Sequence, residues 1–187
     1  MRTTSSRYGA GAQAFHWLTV MLVLAAYLLS KSDRYSLYSA AADGLRRIHE
    51  TLGVLVFIAV MLRLLWRLID NTTVKLPMPR WMAMAAKLVH FALYALLIAI
   101  PATAVLGTWL EGLPVTLLGL DIGPQIAQGR GPGQLIMEMH AVLGNAILWV
   151  AGVHAAAALF HRFYLRDEVF QSMVPRMNEV MSRILRK

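Results

Sequence analysis

Four apolar runs, each close to the length that spans a bilayer, limit the fold of this chain more than any other feature. They cover about 14–30, 48–69, 88–110 and 135–163, and a helix needs roughly 20 apolar residues to cross hydrocarbon. With 58% hydrophobic residues, 15% charged and a mean hydropathy of +0.55, a chain of 187 residues has more apolar surface than a soluble domain can hide. The expected fold is all-α, a transmembrane four-helix bundle. Pro101 falls inside the third run and is expected to kink it, which a bundle tolerates. The first run keeps a histidine and has no small-residue cleavage site after it, so no cleavable signal peptide is expected. Residues 1–187 are read as one domain.

The formal net charge is +8, but the cations are scattered around the apolar runs and form no basic domain. That pattern fits a lipid surface and gives no nucleic-acid partner. The N-terminus, the second connection (70–87) and the tail, with the helix ends beside them, hold thirteen Lys and Arg. The connections 31–47 and 111–134, with Arg46 and Arg47, hold the other five. By the positive-inside rule both termini are expected in the cytoplasm, with helices one and three running outward. The Gly- and Pro-rich connection 111–134 is expected to be an irregular lid. The tail, 174–187, places Met177, Val180, Met181, Ile184 and Leu185 on one stripe flanked by arginines, the pattern of a helix lying on the membrane surface.

The absence of cysteine excludes thiolate zinc sites, iron–sulfur clusters, disulfides and covalently attached c-type heme. What remains for chemistry at membrane depth is histidine. All six lie in or at the ends of the runs: His16, His49, His90, His140, His154 and His161. Ionisable groups there are costly and usually functional. Given the expected directions, His49 and His140 open helices two and four at the outer face, and His16 lies near the inner start of helix one. His154 follows His140 by fourteen residues, about four turns or 21 Å, on the same face. Helix four therefore offers one ligand at each of two depths, with His49 completing the outer pair and His16 the inner.

Small residues fit the same picture. His49 begins HETLG and His140 begins HAVLG, so Gly53 and Gly144 each lie one turn beyond an outer histidine. Four alanines follow His154. Such residues give a flat macrocycle room to lean on a helix, although they also serve close helix packing in membranes. Two histidines on facing helices with a planar space between them describe bis-histidine heme iron. Zinc asks for a third and fourth ligand at the same depth, and nothing acidic accompanies His154. The eleven methionines leave His/Met ligation as a variant.

The segments FHW (15–17), RIHETLG (47–53), RLLWRL (63–68), HAVLGN (140–145), GVHAAAALFHRF (152–163) and MVPR (173–176), in that order, resemble the bacterial cytochrome b561 family. The resemblance covers nearly the whole chain. It implies two non-covalent b hemes, with His49 and His140 on the outer iron and His16 and His154 on the inner. It further implies a bacterial inner-membrane location and electron transfer across that membrane.

In layout the chain is similar to the short, free-standing members that act as superoxide oxidases. This likeness implies that superoxide delivers electrons at the outer heme and that ubiquinone collects them near the inner. His161 matches the quinone-side histidine of those members, and His90 is a second candidate at that level. Arg46 and Arg47 are candidates for attracting the superoxide anion or for pairing with heme propionates. Connection 70–87 has only Lys75, Arg80 and Lys87 as cations before His90, fewer than those members carry. The competing expectations are an electron-transfer subunit linking the quinone pool to a periplasmic redox partner, and a heme-free transporter or scaffold.

Overall fold

The computed structural model describes residues 4–5, 7–30, 40–70, 73–74 and 78–175. Lys75 and the expected surface helix from Met177 onward fall outside these residues. Four helices dominate: α1 (Ala10–Ser30), α2 (Ala40–Ile69), α3 (Arg80–Leu110) and α4 (Arg130–Phe160). All four are long and apolar enough to cross a membrane. Each begins several residues before its apolar run, because helical backbone bonding continues where the polar flanks meet water. A short parallel pair, β1 (Thr4–Ser5) with β2 (Thr73–Val74), joins the two chain segments beside α1 and α2.

Helix α1 packs along α2 and α3 along α4, and the two helical hairpins meet chiefly through α2 and α3. The α3–α4 contact depends on Gly107, where an added Cβ would stand 2.7 Å from the Met137 sulfur and 3.3 Å from its backbone nitrogen. Gly11 plays the corresponding part between α1 and α2, facing the Trp66 indole at 2.5 Å. Pro101 lies within α3, and the helix runs on through it.

The connection 111–134, expected to be irregular, is instead largely ordered. Strands β3 (Val115–Leu117) and β4 (Leu120–Ile122) pair antiparallel. Leu118 and Gly119 join them, both at positive φ, +50° and +84°, as a two-residue type I′ turn requires. The end of this connection is already the first turn of α4, with Gly129 extended at its N-cap and Pro132 in the first turn, where a missing N–H costs nothing.

The buried core lies at mid-bundle. Val56 and Val60 from α2, Leu97 from α3 and Ile147 from α4 form it, with Leu22 and Val23 of α1 packed against them. Val23, Val56, Leu97 and Ile147 each stand seven residues, about two turns, from a histidine in the sequence: His16, His49, His90 and His140. Seven residues bring a side chain back to nearly the same face. The histidines are therefore inward-facing positions of the bundle, one layer above or below the aliphatic core.

Candidate functional site

His49 and His140 face each other across the bundle. Their ring centroids are 6.2 Å apart and their planes lie at 88°. The Nδ1–H of His49 donates to the Ala26 carbonyl of α1 at 2.8 Å, and that of His140 to the Ile100 carbonyl of α3 at 2.9 Å. A carbonyl only accepts, so the proton is on Nδ1 and the lone pair on Nε2. This is the orienting hydrogen bond that metal-ligating imidazoles use. Ile100 immediately precedes Pro101, so the kink-prone turn of α3 holds the acceptor for His140. A Cβ built on Gly53 or on Gly144 meets no atom within 4 Å. These two glycines, unlike Gly107, are not there for helix contact.

His16 and His154 form the second pair, with centroids 6.3 Å apart and planes at 70°. A nitrogen–metal bond of about 2.0–2.1 Å on each side, plus a ring radius of roughly 1.2 Å, separates two imidazoles on one metal by about 6.4 Å. Both observed separations fit an iron between the rings, and the open helix surfaces at Gly53 and Gly144 fit a flat macrocycle around it. His90 reaches the second level too, with its ring 5.2 Å from that of His154 at 64°. That spacing is too short for a shared linear metal. Among the described residues no group of three His, Asp or Glu converges to hold a metal ion.

The hairpin β3–β4 is fastened to the start of α2 on both sides of His49. Glu50 accepts the Thr116 backbone N–H at 2.8 Å and pairs with Arg46 one turn back. Arg47 pairs with Asp121, whose second oxygen accepts from the Thr116 hydroxyl at 2.7 Å. The Arg47 guanidinium, and after it the Thr116 hydroxyl, hold the Asp121 carboxyl below its ordinary range. The Thr51 hydroxyl accepts the Leu118 N–H at 3.2 Å. Thr116 is almost fully buried by these contacts. Arg46 and Arg47 thus both engage carboxylates.

At the opposite end, α4 passes into a single π-helical turn, His161–Leu165, closed by Arg166 in the left-handed region at φ +55°. His161 Nδ1 lies 2.5 Å from Asp167. The other Asp167 oxygen accepts the Val169 N–H at 3.0 Å, closing the turn that leads into α5 (Val169–Ser172). Gln13 and Trp17, on either side of His16, bond the carbonyls of Ser172 and Met173 at 3.0 and 2.9 Å. The C-terminal segment thereby fixes the helix that presents His16.

Every pairing of rings read from direction and spacing recurs in the folded chain: His49 with His140, and His16 with His154. His90 and His161, expected at one level, are separated in their contacts: the His90 ring meets His154, and His161 meets Phe160 and Asp167. Sequence reasoning missed Asp167, Gln13 and Ser172, and the backbone acceptors at Ala26 and Ile100. Only Asp167 offered a signal, as a carboxylate six residues beyond a histidine at the helix end.

A family model described as prokaryotic cytochrome b561 matches residues 7–176. The chain is similar to cytochrome b561 homolog 2 of Escherichia coli strain K12, at 28% identity over 174 residues, 91% of this chain and 93% of the relative. Cytochrome b561 homolog 1 of the same organism is 27% identical over 164 residues, 86% and 93% of the two chains. The probable superoxide oxidase CybB of Yersinia pestis is 27% identical over 172 residues, covering 91% and 97%.

Proposed function

The chain belongs to the prokaryotic cytochrome b561 family of heme-containing membrane electron-transfer proteins, and from that premise we propose that it carries two b hemes and moves electrons across the bacterial inner membrane, from periplasmic superoxide to ubiquinone. One observation carries the reading: two facing histidine pairs on the same bundle, at 6.2 and 6.3 Å, spaced for one iron each. His49 and His140 hold the outer heme and His16 and His154 the inner, with the termini in the cytoplasm. Bound there, heme supplies one-electron chemistry, and the protein supplies ligands, polarity and access.

The Ala26 and Ile100 carbonyls hold the outer imidazoles in the tautomer that presents Nε2. Gln13 and Trp17 fix the rotation of α1 and with it His16. His161, held by Asp167 at the cytoplasmic end, and His90 beside His154 line the side from which ubiquinone takes electrons, and imidazole can pass a proton near neutral pH. A superoxide donor has support from the likeness to the Yersinia pestis protein, whose name states a probable superoxide oxidase.

A second reading is an electron-transfer subunit between the quinone pool and a periplasmic redox protein. It is favoured by the pairing of Arg46 and Arg47 with Glu50 and Asp121, which lowers the net positive field an anion would follow. Reduced-minus-oxidised spectra of the purified protein test the heme assignment. Wild type gives two b-type components, His49→Ala and His16→Ala each lose one, and His161→Ala keeps both. A wild-type spectrum without b-type absorbance refutes the whole reading. Ubiquinone reduction driven by enzymatically generated superoxide in detergent separates the two donors, since inactivity of the isolated, fully heme-loaded chain leaves only the partner-protein reading.

A further inference from the structure

The spacing that aligns the histidines also picks out an arginine. On α4, His140, Ile147 and His154 follow one another at intervals of seven. On α2, running the same way, His49, Val56 and Arg63 do likewise. Val56 and Ile147 are both buried in the mid-bundle core, so the next residue in each stripe faces the same inner level. Arg63 is therefore the α2 counterpart of His154. Its guanidinium carbon lies 5.6 Å from the centroid of the Tyr94 ring, one turn from His90 on α3. His90 in turn meets the ring of His154, which faces His16.

This level thus holds three imidazoles and a guanidinium, one contribution from each helix. Among the described residues no carboxylate lies within ion-pair distance of Arg63. A permanently charged group at membrane depth, half-buried and facing the bundle, calls for an anion. An aromatic face offsets only part of that charge. Arg63 cannot ligate iron, but it can fork two hydrogen bonds to a carboxylate.

We propose that Arg63 binds a propionate carboxylate of the heme held by His16 and His154, and so anchors that macrocycle and sets its orientation between α1 and α4. The inference rests on the heme assignment above. It makes Arg63 a cofactor-binding residue of the inner site, and its readouts are heme retention and potential.

The test uses heme-loaded protein in detergent, with wild type, Arg63→Gln and Arg63→Lys. Each is redox-titrated and challenged with excess apomyoglobin to follow heme loss. Losing a charge-assisted pair speeds transfer of the inner heme by roughly ten- to a hundredfold. It also lowers that heme's potential, because a positive charge near the iron favours the reduced form. The Lys variant recovers part of both. The change appears in the His49→Ala background, which keeps only the inner heme, and is missing in His16→Ala.

Wild type loaded with the dimethyl ester of heme, whose propionates are capped, shows the same weakened retention, and Arg63→Gln makes it no worse. The wild-type measurement in this arm needs no variant, and an ester held there as firmly as native heme overturns the proposal even if the variants fail to fold. Unchanged retention and potential in Arg63→Gln overturns the proposal. So does an ester held as firmly as native heme while Arg63→Gln still weakens binding, which assigns the charge to a quinone or lipid anion instead. Absence of b-type absorbance in wild type is a different failure, that of the underlying assignment.

Discussion

Replacing Gly144 with valine opposes two effects that the structure assigns to different partners. In the protein alone, the Cβ at this position meets nothing within 4 Å, so the added side chain has room. An interior helical glycine is also less favourable than alanine by roughly 0.5–1 kcal/mol, and valine keeps part of that difference. The heme-free bundle should therefore be as stable as wild type or slightly more so. For a macrocycle leaning on α4 beside His140, the same isopropyl group is overpacking, at a cost of about 1–3 kcal/mol. That weakens heme binding at the His49–His140 pair roughly five- to 150-fold and leaves the other pair alone. The assay is the heme-to-protein ratio by pyridine hemochrome, with redox spectra to identify the survivor, and thermal unfolding of heme-free protein alongside. Gly107→Ala is the opposite control. Its Cβ would meet Met137 at 2.7 Å, so it should destabilise the bundle itself by about 1–3 kcal/mol. If Gly144→Val keeps both hemes with wild-type retention, or destabilises the heme-free bundle as Gly107→Ala does, the glycine is a packing residue and the cradle argument is wrong.

Trp17→Phe removes the indole bond to the Met173 carbonyl and should loosen the C-terminal segment by about 0.5–1.5 kcal/mol, seen as faster proteolysis near residues 173–175 with both hemes retained. Asp167→Ala takes the acceptor from the Val169 N–H and the partner from His161; the turn into α5 should weaken by about 0.5–1.5 kcal/mol, read by hydrogen exchange at Val169. The Asp121 carboxyl lies below its ordinary 3.8, so its contribution to hairpin docking is fully present above that pH. It is lost only as pH falls through the lowered value. The protection factor of the Thr116 amide, taken against its intrinsic exchange rate at each pH, should therefore stay constant from pH 8 to about 5, begin to fall below about 4, and lose this pH dependence in Asp121→Asn.

Bilayer-length apolar runs made the bundle legible, because in hydrocarbon every backbone group must bond within its own helix. The fourteen-residue step from His140 to His154 made two levels legible, since a helix face repeats almost every seven residues. The same step from His49 ends at Arg63, which reads in the sequence as a charge closing an apolar run, and only the packing of Val56 beside Ile147 shows it facing inward. The hairpin was hidden because its turn is Leu118–Gly119, without the Asn-Gly or Asp-Gly that announces a type I′ turn. Its fastening residues, Arg47, Glu50, Thr51 and Asp121, are far apart in sequence. Backbone acceptors such as Ala26 and Ile100 leave no trace in side-chain identity, and Pro101 marks only the neighbourhood of the second.

The aliphatic layer of Val23, Val56, Leu97 and Ile147 has a consequence for energy conversion. Those four side chains offer a proton no donor or acceptor. On the proposed route an electron crosses that layer without a proton carried by them. The levels are about 21 Å apart along the helix, roughly two thirds of a 30 Å hydrocarbon core. Each electron therefore works against or with about that share of the membrane potential, on the order of 1.5 kcal/mol per 100 mV. On the proposed two-heme route the bundle is electrogenic, and inward electron flow in a polarised cell runs uphill unless the donor is reducing enough to drive it.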